Sequence, residues 1–131
     1  GVEEIIDLNY PHDLGQYDLI IDPGTLEHCF NVGQAWINAA NAVMEGGYIY
    51  HNNPITMVNH GFWNFNPTGY HDFYTQNGFS CEMYVQSGTN VYNATGDIIR
   101  RHFESETLSQ VIAKRIKKQQ LIYPTQSKYL K

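Results

Sequence analysis

The feature that most constrains this chain is a pair of short apolar runs, each ending in a carboxylate. Glu3 to Asp7 reads EEIID and Tyr17 to Asp22 reads YDLIID, with little polar–apolar alternation in either. Such runs suit strands buried on both faces of a parallel sheet. The second run meets Pro23-Gly24, a turn signal. A 3.6-residue period then predicts a helix over Gly33 to Met44. Trp36, Ala39, Ala40, Val43 and Met44 fall on one side of it, and Gln34, Asn38, Asn41 and Glu45 on another. Asn31 stands at the cap position with Gln34 three residues on. Gly46-Gly47 marks the expected stop, and Tyr48 to Tyr50 (YIY) the next strand.

A polar loop is expected from His51 to Asn66. Asn66-Pro67 then opens a second helix, with Asn as cap and Pro at the first position. Tyr70, Phe73 and Tyr74 form its inner stripe, and Asn77-Gly78 ends it. Phe79 to Gln86 and Thr107 to Lys117 are the remaining expected strands. Strand–helix alternation predicts one open parallel α/β sheet across all 131 residues. Ligands in such sheets bind beyond the carboxyl ends of the strands, where Asp7 and Asp22 both stand.

Charge and composition narrow the function classes. A formal charge of -5 disfavours a general nucleic-acid grip. The basic run Lys114 to Lys118 (KRIKK) is short and reads as a solvated edge. Two cysteines, Cys29 and Cys81, make no disulfide scaffold and read as reduced and buried. No run of ~18 apolar residues predicts a membrane span, and no basic-then-apolar leader opens the sequence. A cytoplasmic protein is the expectation.

Three segments carry a resemblance. YDLIIDPGTLEH, the helix after it and MEGGYIY resemble the fourth strand, following helix and fifth strand of class I S-adenosylmethionine-dependent methyltransferases. His60 to Tyr74 (HGFWNFNPTGYHDFY) with the following NGF, and the tail LIYPTQSKYL, resemble one branch of that family. The likeness spans nearly the whole chain. It implies a Rossmann-like, three-layer α/β/α fold with S-adenosylmethionine as cofactor. The family's strand order is third, second, first, fourth, fifth, seventh, sixth.

The resemblance also assigns roles. Asp7 would accept from the adenine amino group, with Leu8 beside the ring. Asp22, Pro23, Gly24 and Thr25 would line the methionine part, and Gly24 would let backbone approach closely. Glu27 and His28 would face the acceptor, with His28 suited to taking a proton near neutral pH. His51, Asn52, His60, Trp63, Asn64 and Phe65 would line a polar–aromatic pocket for a small polar substrate. Some metal-binding relatives show Glu-x-x-Glu-His here, but Gly24 stands where the first Glu would be. His51, His60 and His71 match no compact zinc spacing. No metal is therefore expected.

One part of the family pattern is not found in the sequence. The glycine-rich GxGxG turn that cradles the cofactor, and the acid after the next strand, have no match. The sequence opens at what resembles the third strand, so the sheet is expected to be incomplete, lacking the first two strands. Glu3–Asp7 would then lie unpaired, pair elsewhere, or pair with another copy or a complementing chain. The resemblance thus implies methyl transfer by an intact or completed protein. The alternative is a non-catalytic, methyltransferase-like binding or structural module.

Overall fold

The structure, a computed structural model, describes residues 1–97 and 99–130. The chain is α/β. β1 (Tyr17–Asp22) leads through a 3-10 turn (Leu26–His28) into α1 (Val32–Asn41) and β2 (Val43–Pro54). Then come α2 (Pro67–Gln76), β3 (Phe79–Ser87), β4 (Asn90–Asn93) and β5 (Thr107–Arg115), with a last 3-10 turn at Ser127–Tyr129.

The five strands form one sheet in the order β1-β2-β5-β3-β4. It is mixed, and the expectation of a parallel sheet is corrected. Only β1 and β2 run parallel, because α1 carries the chain back between them. β5 inserts between β2 and β3, antiparallel to both. β4 closes the edge as a hairpin with β3, where Gly88 at φ 58 sits in the two-residue turn.

Both helices pack on one sheet face. That face carries Ile49, His51, Val111, Ala113, Met83 and Val85, all buried. Trp36 of α1 and Tyr70 and Tyr74 of α2 stand over His51 with ring centroids at 5.9, 5.3 and 5.7 Å. Aromatic groups of this size bury about 150–250 Å² each and dominate the core. The opposite face bears Leu19, Ile21, Tyr48 and Ile112, all exposed. Among the described residues the fold has two layers, against the three implied by the resemblance.

Several expected boundaries move. Glu3–Asp7 forms no strand: Val2 and Ile5 are exposed, and β1 has no neighbour on its outer side among the described residues. The segment after it docks on α1 instead. Buried Asn38 donates through Nδ2 to the carbonyls of Leu8 and Tyr10 and accepts from the His12 N–H. Asn38 thus sits inside, although helical spacing places it on the polar side.

α1 stops at Asn41 rather than at the glycines. Gly46 (φ 82) and Gly47 lie in a bulge of β2 instead. Three residues of β1, Tyr17 to Leu19, face six of β2, Val43 to Tyr48. A Cβ on Gly47 would stand 2.9 Å from the Asp18 carbonyl, so glycine permits the close approach.

Arg115 corrects the solvated reading of the basic run. It is buried, and its Nη1 donates to the carbonyls of Ala40, Asn41 and Val43. The first two are orphan carbonyls of the kind any helix end must satisfy, and the third belongs to the start of β2.

Candidate functional site

The carboxyl ends of β1 and β2 hold a buried polar network. β2 continues through His51 to Pro54, where a loop is expected from the polar sequence. The strand period turns His51 and Asn53 inward, toward Asp22 and Glu27. Asp22 Oδ1 accepts from the Thr25 N–H at 2.8 Å and the Leu26 N–H at 3.3 Å. Its Oδ2 meets His51 Nδ1 at 2.7 Å and Asn53 Nδ2 at 3.0 Å.

The other nitrogen of His51, Nε2, meets the Tyr74 hydroxyl, which accepts from Trp36 Nε1 at 3.1 Å. These contacts assign the protons. With His51 neutral, Trp36 can only donate, so the Tyr74 hydroxyl proton points to His51 Nε2, and His51 donates from Nδ1 to Asp22. The chain of donors runs Trp36, Tyr74, His51, Asp22. Burial alone would raise the Asp22 carboxyl. The hydrogen bonds from His51, Asn53 and the Thr25 N–H, with the charge His51 carries whenever it is protonated, outweigh it and hold the carboxyl below its ordinary value. Burial raises the Tyr74 phenol well above the ordinary range, so it remains a donor.

Glu27 begins a second branch. Asn53 Nδ2 donates to its Oε2 at 2.9 Å, the Tyr70 hydroxyl donates to Asn53 Oδ1 at 2.6 Å, and Ser109 Oγ donates to the Asn53 carbonyl at 3.1 Å. The Glu27 carboxylate is only 1% exposed. Its Oε1 faces His60 Nε2 at 3.4 Å and His28 Nε2 at 3.9 Å, on half-exposed imidazoles. The two rings stand 5.1 Å apart.

The His60 loop is locked against the Glu27 backbone. The Glu27 carbonyl accepts from the Phe62 N–H at 2.8 Å and the Trp63 N–H at 3.3 Å. A Cβ on Gly61 would fall 2.7 Å from that oxygen. Asn59 turns the chain at φ 61, a left-handed conformation that Asn tolerates.

The sequence-predicted residues therefore separate. Glu27, His28 and His60 converge, and Asp22 and His51 pair directly. His51 is fully buried with both ring nitrogens engaged inside the protein. Phe65 packs on Trp36 and Tyr70 in the core. Asn64 Oδ1 accepts from the Met57 N–H and holds the loop.

Trp63 Nε1 donates to the Cys29 carbonyl, while its ring joins Phe30 and Phe62 in an exposed aromatic cluster. Pro23, Gly24 and Thr25 form the turn after β1, with Gly24 at φ 96. Asn52 Oδ1 is buried without a hydrogen-bond partner. Asp7 accepts from the N–H and side chain of Asn9 and stays exposed, and those bonds hold its carboxyl below the ordinary value. Leu8 packs partly against the core.

Both thiols are free. Burial pushes Cys81 up to about 12, and burial with the nearby carboxylates raises Cys29, so neither is a thiolate nucleophile at neutral pH. The larger cavity, about 830 Å³, lies elsewhere, by the start of α2 and the Arg100–Phe103 segment. None of the sequence-predicted site residues line it.

Sequence reasoning placed Asn53 with His51 and Asn52 at the ligand-facing edge, and missed Tyr70, Tyr74 and Trp36 as parts of the network. The one available signal was the two-residue period from His51 to Asn53. No helix among the described residues is long and apolar enough to cross a membrane. No family model matches the chain, and no curated protein matches it.

Proposed function

We propose that this chain carries the acceptor-facing side of a site for methyl transfer from S-adenosylmethionine to a small polar acceptor. The observation that supports the reading best is the sheet order. β1, β2, β5 and β3 follow the fourth, fifth, seventh and sixth strands of the class I methyltransferase sheet, with the last strand inserted before the sixth. α1 and α2 fall between the corresponding strands. Gly24 turns the backbone after β1 at φ 96, and Asn52 Oδ1 supplies a buried acceptor in want of a donor. Those two features suit the ammonium-bearing methionine end of the cofactor, which supplies an electrophilic methyl on a sulfonium.

This chain's own residues do the rest. His28 Nε2, on a half-exposed ring, takes the acceptor's proton, and the Glu27 carboxylate opposes the charge gained. Phe30, Phe62 and Trp63 offer an exposed aromatic wall for the acceptor. A second reading, a non-catalytic binding module, is favoured by Asp7, whose carboxylate is engaged in its own turn.

The test is a backbone amide NMR titration with S-adenosylhomocysteine up to ~5 mM, which reaches affinities weaker than 1 mM. The proposal expects shifts confined to Asp22–Cys29 and Asn52–Asn53. A spectrum unchanged at those amides overturns it and leaves the binding module.

A further inference from the structure

We propose that Glu27, His28 and His60 form a binding site for one first-row divalent metal ion. Their donor atoms, one carboxylate oxygen and two imidazole nitrogens, all lie within 4.8 Å of one another. An ion about 2.1 Å from each donor needs them roughly 3.0–3.5 Å apart. The Glu27–His60 separation of 3.4 Å already meets that. The His28 contact at 3.9 Å needs only a small closing movement of a half-exposed ring.

The contacts are ion-pair distances without a hydrogen bond. At 3.4 and 3.9 Å neither imidazole makes a hydrogen bond to Oε1, and two imidazoliums would repel each other across 5.1 Å. A cation between them would answer all three groups at once.

The carboxylate is prepared as a metal ligand usually is, by partners behind it that fix its orientation. Oε2 is held by Asn53, Asn53 by Tyr70, and Tyr70 accepts from Ser109. The His60 loop is pinned by the Phe62 and Trp63 N–H groups on the Glu27 carbonyl. A two-histidine, one-carboxylate set suits Zn²⁺, Co²⁺ or Fe²⁺ more than Mg²⁺ or Ca²⁺. It leaves coordination positions open on the exposed side. Sequence spacing concealed the set, because His60 arrives from a loop far along the chain.

The inference rests on this geometry and stands whether or not the chain binds S-adenosylmethionine; a bound ion occupies the His28 Nε2 lone pair, so the proton acceptance proposed for His28 belongs to the metal-free protein. It is tested on chelator-treated protein at neutral pH, by calorimetry with Zn²⁺ and visible absorption with Co²⁺. The expected result is one ion per chain, with a dissociation constant on the order of 1–10 μM, and a higher melting temperature with metal. His28→Ala and His60→Ala should each weaken binding by roughly 10–100-fold. Both rings are half exposed, so the metal-free melting temperature should hold and separate lost ligation from lost folding. His71→Ala, on α2, should leave affinity unchanged. No binding at ~1 mM metal, or binding retained by the His28→Ala/His60→Ala double variant, overturns the proposal.

Discussion

Tyr74→Phe keeps an aromatic ring in the core and removes one oxygen. The ring packs edge-on to Phe73 and Phe79, with centroids at 5.2 and 5.0 Å, so its loss of volume is negligible. The oxygen serves two buried partners, Trp36 Nε1 and His51 Nε2. His51 has no exposed surface, so water cannot replace the lost hydroxyl without opening the core. Each group left unsatisfied in a dry site costs about 1–3 kcal/mol, giving about 2–6 kcal/mol for the two. The variant is spared the burial of the hydroxyl itself, about 1–3 kcal/mol. The net expected loss is about 1–3 kcal/mol, a fall in melting temperature of roughly 4–12 °C for a chain of this length. Thermal and urea unfolding at pH 7 read it directly. A melting temperature within ~2 °C of the parent would refute the proton assignment along Trp36, Tyr74, His51 and Asp22. A cycle with Trp36→Phe should show coupling of about 1 kcal/mol, since both changes break one bond.

Asp22 makes stability depend on acid. Its folded carboxyl titrates below the ordinary value of 3.8, so the unfolded chain takes up the proton first. The contribution is fully present above that value and is lost as pH falls through it to the lowered folded one. Asp22→Asn should flatten the dependence of the unfolding free energy on acid below pH ~4, and an unchanged slope would remove Asp22 as its source. Arg115→Met should lower stability by about 2–3 kcal/mol, because it strips donors from the Ala40 and Asn41 carbonyls at the end of α1 and from the Val43 carbonyl of β2. A melting curve matching the parent would contradict that capping role. Gly61→Ala should force the His60 loop off the Glu27 carbonyl, cost about 1–2 kcal/mol and weaken Zn²⁺ binding. Unchanged calorimetry would show that the loop tolerates the methyl.

What could be read from the sequence follows the apolar pattern. β1, α2 and β3 lie close to where their runs and caps place them, and Asn31 caps α1 through the Gln34 N–H. The pattern misled where buried groups are polar. His51-Asn52-Asn53 reads as loop, yet it is strand, because Asp22 and Glu27 answer its side chains from the neighbouring elements. Asn38 reads as surface and is buried for the same reason, its partners being backbone carbonyls. Gly46-Gly47 is a sound breaker signal with two physical uses, helix stop and strand bulge, and local sequence does not choose between them. Glu3–Asp7 has strand propensity and no partner here, and a strand needs one. Of the candidate site, Glu27-His28 was visible as a pair. His60 joined it only through the fold.

β5 comes last of the five strands in sequence and stands in the middle of the sheet. During synthesis β2 and β3 must therefore wait, each with an edge unfilled, until Arg115 has left the ribosome. The β3–β4 hairpin and the β1–α1–β2 unit can form early from neighbouring residues, but they have nothing to join them. Ser109 reaches the Asn53 carbonyl and the Tyr70 hydroxyl from β5, so the support behind Glu27 is completed only with that insertion. The nascent chain should be most prone to aggregation just before β5 emerges, and competence for ligand should appear with the slowest folding phase rather than ahead of it.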